Sequence, residues 1–196
     1  MALIGFKRLT IRVLTGEAPV TSGEGQNVFV IEGKTGEGAT QEAKIDGLST
    51  DPVKTYGSDA AYHVSRKGVG DVKAEIKTVD IVETAKVTIL GYLRKDDITY
   101  IGSDTEAPYC SLLFESSNID GTPALLGIFK GSFSLNSVEM KTLGDKTEEL
   151  PGESLTYTAI ASDDADTKGE YVASYSGSDE TSISKLKAQL HIIAGA

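Results

Sequence analysis

Val69-Gly70-Asp71-Val72-Lys73-Ala74-Glu75-Ile76-Lys77-Thr78-Val79 alternates with a period of two. Val72, Ala74, Ile76 and Thr78 fall on one side; Asp71, Lys73, Glu75 and Lys77 fall on the other. A pleated strand sends successive side chains to opposite faces, so this stretch is a strand with one face buried and one face wet.

Working outward, the same kind of signal recurs. Downstream, strands are expected over 97–101, 109–116, 124–134, 154–162 and 171–175, separated by turns such as Asn118-Ile119-Asp120-Gly121. Upstream, Phe6 to Leu14 alternates imperfectly and reads as a strand or an extended arm, and Asn27 to Glu32 is a short apolar run suited to a buried strand. Gln41 to Leu48 alternates weakly. Polar, Gly-rich stretches at 16–25 and 33–40 separate these segments. Asp51 to Lys67 is polar and punctuated, and is either a long excursion or a pair of weak strands.

Two segments carry a helical period. Asp80 to Gly91 fits a strand or a helix by spacing; Asp80 with Glu83 three residues on forms a capping-box pattern and Gly91 suits a helix end, which favours a helix. From Glu180 to Ile193, Ile183, Leu186, Leu190 and Ile193 make an amphipathic stripe, capped by Ser178 or Asp179. Eight to ten strands, one or two short helices and no strand–helix–strand alternation predict a mainly β chain, a β-sandwich or a strongly curved, barrel-like sheet.

Length and composition agree. The 196 residues suit one unit over 1–196, with 39% hydrophobic residues, 21 Gly, 8 Tyr and no Trp. No apolar run reaches the roughly 20 residues of a membrane helix. Met1 to Thr10 carries Lys7 and Arg8 with no apolar stretch after them, so no signal peptide is expected and the chain reads as a mature cytosolic protein. The net charge of −10 is uneven, with −1 in residues 1–100 and −9 in residues 101–196. An acidic half disfavours binding to phosphate backbones. It serves solubility alone, or it lets a surface face nucleic acid without adhering to it.

The stretches that resemble chemistry dissolve on inspection. Gly33-Lys34-Thr35 follows an apolar strand, but a phosphate loop needs a glycine where Val28 stands, and Gly36-Glu37-Gly38 follows instead of a helix. Asp164-Ala165-Asp166-Thr167-Lys168-Gly169 opens like a calcium loop, yet Lys168 and Tyr175 occupy positions that need oxygen ligands. Cys110 is the single cysteine, sits in an apolar run and is expected to be a buried, inert thiol. One Cys with His63 and His191 makes no zinc set, and no nucleophile elbow is present. No catalytic, metal or cofactor residue is therefore assigned, and the chain is expected not to be an enzyme.

Ile4-Gly5-Phe6 before a strand is followed by Tyr56-Gly57-Ser58-Asp59, Val72-Lys73-Ala74-Glu75-Ile76, an acidic helix start at Asp80 and Leu90-Gly91. Then come Glu106-Ala107-Pro108-Tyr109, Leu126-Gly127-Ile128-Phe129-Lys130-Gly131-Ser132-Phe133, the polar Thr142 to Glu148 and Leu155-Thr156-Tyr157-Thr158-Ala159. In order and spacing this resembles the major tail protein family of long-tailed phages and prophages of Gram-positive bacteria. The stretch from Gly16 to Gly38 departs from that pattern.

The resemblance implies a sandwich or barrel with a flanking helix, hexameric rings stacked into a tail tube, and passage of DNA through the lumen at ejection. It implies partners in the tape measure protein, the tail terminator and the baseplate or tail-tip proteins. It places the chain in the virion, after assembly in the host cytoplasm. Within it, residues 1–40 contain an N-terminal arm, 51–67 an inter-ring loop and 178–196 the C-terminal helix. Glu148, Glu149, Asp163, Asp164 and Asp166 are candidate lumen or solvent acids; Phe6, Leu9, Tyr56 and Tyr62 are candidate contact residues. The competing reading is a monomeric β-sandwich that binds a carbohydrate or another ligand, or mediates adhesion. Lack of Trp weakens it, since sugar platforms rely on stacked aromatics, and eight Tyr keep it open.

Overall fold

The structure, a computed structural model, describes residues 3–20, 25, 27–34, 36–138 and 152–194. The chain runs β1 (Leu3–Val13), β2 (Val28–Ile31), β3 (Ala39–Asp46), β4 (Val53–Gly57), β5 (Ala60–Ser65), β6 (Lys73–Asp80) and α1 (Glu83–Leu90). It continues through β7 (Leu93–Lys95), β8 (Ile98–Tyr100), β9 (Tyr109–Asn118), β10 (Pro123–Ser134), β11 (Glu153–Ile160), β12 (Val172–Ser176) and α2 (Glu180–Gln189). One sheet has the order β2-β1-β9-β10-β11-β6-β3, with β12 also paired to β10, and every pairing is antiparallel. The mainly β, barrel-like architecture expected from the sequence is the one observed.

The sheet curves until its last strand returns to its second. Thr40 Oγ1 on β3 donates to the Phe6 carbonyl on β1 at 3.1 Å. Inside lies the main core: Leu9, Ile11 and Val13 from β1, Ala74 and Ile76 from β6, Cys110 and Leu112 from β9, and Leu155, Tyr157 and Ala159 from β11. Burying each large aliphatic side chain contributes about 1.5–3 kcal/mol. On β6 the buried set is Ala74, Ile76 and Thr78, preceded by buried Val72, which is the face that the alternation predicts. The Tyr157 hydroxyl, fully buried, donates to the Cys110 carbonyl at 2.6 Å, and its ring meets that of Phe133 edge-on at 5.0 Å.

A second apolar cluster lies on the outer face of the same sheet. There α2 and the residues after it cover Leu113, Leu125 and Phe129 with Leu186, Leu190 and Ile192. Strand β10 serves both clusters by alternation, Ile128 inward and Leu125 outward, and it is bulged: Ile128 pairs with Leu112 and Gly131 with Cys110, so β10 carries one extra residue. Before the bulge β10 pairs with β12, and after it with β11. Gly131 is required there, since a Cβ would lie 2.3 Å from the Thr158 carbonyl oxygen.

Helix α1 ends as expected, with Gly91 in the left-handed region (φ 67°), where a Cβ would lie 1.9 Å from the Glu106 carbonyl oxygen. Its start differs from the capping box read in the sequence. Asp80 is held extended as the last residue of β6, opposite Ala39, so the helix begins only at Glu83 and Val82 precedes it with no side-chain cap. Helix α2 is capped by Asp179, whose Oδ2 accepts from the Ser182 amide at 2.9 Å. It ends at Gln189, before the expected Ile193, and the left-handed His191 (φ 55°) follows soon after.

The segment 51–67 proves to be the hairpin β4–β5. A second hairpin, β7–β8, was half-legible: a strand was expected only over 97–101.

Candidate functional site

Both hairpins stand clear of the core. Every residue of β4 and β5 is exposed, including Val53 and Val64. Tyr56 is 68% exposed and Tyr62, the extra residue in a bulge between Ala61 and His63, is 85% exposed. The turn is made by Ser58 and Asp59 at φ 52° and 61°. Asp96 and Asp97 make the same turn in β7–β8, which exposes Leu93 and Ile98. Two successive residues with positive φ match the right-handed twist of the strands they join. Apolar side chains displayed on marginal two-stranded ribbons mark contact surfaces rather than core.

The N-terminal candidates separate. Phe6 is half-buried, its ring centroid 5.8 Å from that of Phe114. Leu9 is wholly buried between Ile31 and Phe114, so it packs the chain's own core and offers nothing to a neighbour. Ahead of them Leu3 and Ile4 are exposed, beyond two irregularities in the β1–β9 register.

Two of the acidic candidates, Asp163 and Asp164, are engaged within the chain. Asp163 Oδ2 lies 2.7 Å from Lys130 Nζ, which also sits 5.0 Å from the Tyr109 ring centroid. The hydrogen bond from Lys130 holds the Asp163 carboxyl below its ordinary range. Asp164 Oδ2 is 2.7 Å from His191 Nε2. Asp163, Asp164, Lys130 and His191 rim an open cleft of about 670 Å³ that also takes in Tyr109 and Phe129. Asp166 is exposed in the turn after β11, where the Ser162 and Thr167 hydroxyls meet at 2.7 Å. Among the described residues no group of His, Cys, Asp and Glu could hold a metal ion. Glu148, Glu149 and the segment Thr142 to Glu148 lie outside the described residues. Lys34 forms ion pairs with Glu32 and Glu37 in a tight turn, which accounts for it without a phosphate.

Sequence reading missed Arg12. It shares the β1 face with Thr10, opposite Leu9, Ile11 and Val13, and alternation alone makes that a solvent face. It is instead 1% exposed, lying at the end of α2. Nε donates to the His191 carbonyl at 3.0 Å, and one terminal nitrogen donates to the Gly16 and Glu17 carbonyls at 3.0 and 2.8 Å. Burial lowers the guanidinium pKa from its ordinary value. Beside it Ser111 Oγ donates to the Leu190 carbonyl at 2.5 Å. Cys110 is buried, and desolvation raises its thiol pKa to about 12.

The described residues thus form a curved antiparallel shell with two apolar clusters and two exposed hairpins that carry apolar side chains. Residues 13–188 match the family model described as "Phage tail tube protein". The chain therefore belongs to the phage tail tube protein family, a family of structural virion proteins of the tail. No curated protein matches it in sequence. No helix among the described residues is long and apolar enough to cross a membrane.

Proposed function

We propose that copies of this chain join into hexameric rings that stack as the tube of a long phage tail, and that DNA passes along the channel when it is ejected into the host. Residues 1–196 act as one tail-tube unit, with the start of β1 and the β4–β5 hairpin as contact segments. Assembly takes place in the host cytoplasm, with the tape measure protein, the tail terminator and the baseplate or tail-tip proteins as further partners. The chain uses no cofactor and catalyses no reaction.

The observation that carries this reading, beside family membership, is the β4–β5 hairpin. Its two tyrosines and two valines touch no core of their own, and an isolated hairpin is marginal in water. A neighbouring copy supplies the surface such a ribbon needs. Negative-stain microscopy of the purified chain at rising concentration, with light-scattering mass on the same sample, tests it. Rings or tubes with a central channel are expected, spontaneously or once tail-tip proteins are added. A monomer under both conditions, with saturable binding of a sugar or other small ligand, would replace it with the binding-module reading.

A further inference from the structure

We infer that the β7–β8 hairpin is a docking surface for a second copy of this chain, and that it receives the β4–β5 hairpin of the copy stacked beyond it. The inference rests on the tail-tube reading above, which takes β4–β5 as a contact segment and leaves its receiver open.

The β7–β8 ribbon is inside out. Leu93 stands opposite Tyr100, Arg94 opposite Thr99, and Lys95 opposite Ile98. Opposed residues of an antiparallel pair share a face and successive residues alternate, so Leu93, Lys95, Ile98 and Tyr100 lie on one face and Arg94 and Thr99 on the other. The polar face is the one turned to the rest of the subunit. Thr99 Oγ1 donates to Glu83 Oε1 at 3.1 Å, and Arg94 pairs with Asp97 in the turn. Leu93, Ile98 and Tyr100 are exposed, and so is Ile101 directly after them. A ribbon packed for its own subunit alone would lay those side chains inward and send Arg94 to water. The reversed arrangement marks a face that another molecule covers.

The topology says which molecule. Strands β3 and β6 pair from Ala39 with Asp80 at one end to Asp46 with Lys73 at the other. The β4–β5 hairpin is inserted at the Asp46–Lys73 end. At the opposite end the chain passes from Asp80 into α1, and the Thr99–Glu83 bond holds β7–β8 to the first residue of that helix. The eight residues of β6 lie between, each rising about 3.3 Å. The two exposed hairpins therefore leave opposite ends of one strand pair, and copies repeated along that pair bring β4–β5 of one to β7–β8 of the next. A contact of this kind joins two different patches, so it propagates along a stack instead of closing into a dimer.

Charge agrees with the placement. Residues 51–67 hold three Lys and Arg against two Asp and Glu, a net of +1. Residues 80–105, which carry the start of α1 and β7–β8, hold three against five, a net of −2. Setting either hairpin against its own counterpart would oppose like charge to like, whereas β4–β5 against β7–β8 opposes unlike charge and brings Tyr56 and Val64 to an apolar face.

Cys110 is the chain's only cysteine and is fully buried, so introduced thiols report alone. Ala61→Cys lies opposite Tyr56 on β4–β5 and Lys95→Cys lies opposite Ile98 on β7–β8, and neither removes an apolar contact residue. The chain with both changes would be assembled into tubes, treated with a short bismaleimide and run on a denaturing gel. A ladder of dimers, trimers and longer products is expected, because each copy then links to one on either side. Each single variant is expected to stay monomeric, and the two single variants assembled together to give dimers and nothing longer. Dimers from a single variant would mean that a hairpin meets its own counterpart, and intact tubes without links would mean that the two hairpins are apart. Either result overturns the inference while leaving the tube standing. If the double variant forms no tube, the co-assembled single variants decide by the same dimer. Leu93→Asp with Ile98→Asp should also leave the melt of the isolated chain unchanged and abolish tubes; an undiminished yield of tubes would equally overturn the inference. If the unmodified chain forms no tube even with tail-tip proteins, the tail-tube reading fails first, and the inference with it.

Discussion

Two hairpins, the long β9–β10 and the short β4–β5, obey the same pairing rules and end in opposite circumstances. In β9–β10 apolar residues occupy both parities: Leu112 and Ile128 face the inner core while Leu113 and Leu125 face α2. In β4–β5 tyrosine and valine are spaced among Lys54, Thr55, Ser58 and Asp59, and no residue is covered. Backbone pairing is therefore indifferent to burial. What separates the two is whether the chain has enough apolar surface nearby to enclose them, and for β4–β5 it does not.

The contrast breaks first under truncation. Leu112→Ala or Ile76→Ala should cost about 2–5 kcal/mol in chemical denaturation, because each leaves a cavity in a closed core. Tyr62→Ala should leave the denaturation midpoint of the isolated chain within about 0.5 kcal/mol of the parent and yet abolish tubes under the microscope. If Tyr62→Ala destabilised the monomer as much as Leu112→Ala, the division between the hairpins would collapse.

Arg12→Met should cost about 2–3 kcal/mol, since it strands carbonyls of 16, 17 and 191 that its guanidinium now satisfies. Denaturation curves would reveal it, and loss of order should concentrate at residues 14–17 and 190–194.

Acid sharpens the comparison more gently. Asp163 and Asp179 both have lowered carboxyl pKa values, the first through Lys130 and the second through Ser182. A lowered folded value means stability that is complete above the unfolded carboxylate pKa, about 3.9, and is lost as pH falls through the folded value. The second half of β10 and α2 should therefore loosen below about pH 4, while Asp163→Asn and Asp179→Asn each flatten that slope in a thermal-melt series.

The smallest effect is in the turns. Ser58→Asn with Asp59→Gly supplies residues that accept positive φ more readily, and should slow amide exchange in β4–β5 without shifting the global melt.

Much of this was legible in the sequence, for identifiable reasons. Strict alternation over 72–78 marked the buried face of β6, because a two-sided strand leaves its period in the residues. Gly91 and Asp179 marked helix ends through their own local chemistry. Asp80 misled because an acid three residues before a helix reads the same whether it caps the helix or ends a strand; only pairing with Ala39 decides. Arg12 and Leu9 misled for the same reason in opposite directions. Their environment is set by α2 and by β9, about a hundred residues or more away, and no local pattern carries that distance. The charged side of β6 was read, but its match with Glu42, Lys44 and Asp46 on β3 depends on a register that begins after an irregularity at Thr40.

The Arg12 cluster bears on how a self-polymerising protein guards its own quality. Its guanidinium binds a loop near the start of the chain to His191 near the end, and Ala194 donates its amide to the Pro19 carbonyl at 2.6 Å. Synthesis delivers residues 180–194 after all the described strands, so the cover of the sheet's outer face forms after the strands it covers. A copy cut short after residue 179 would keep its main core but leave Leu113, Leu125 and Phe129 bare. Such a copy should aggregate or be degraded before it reaches a growing tube, and the absence of truncated chains from purified tubes would record that proofreading.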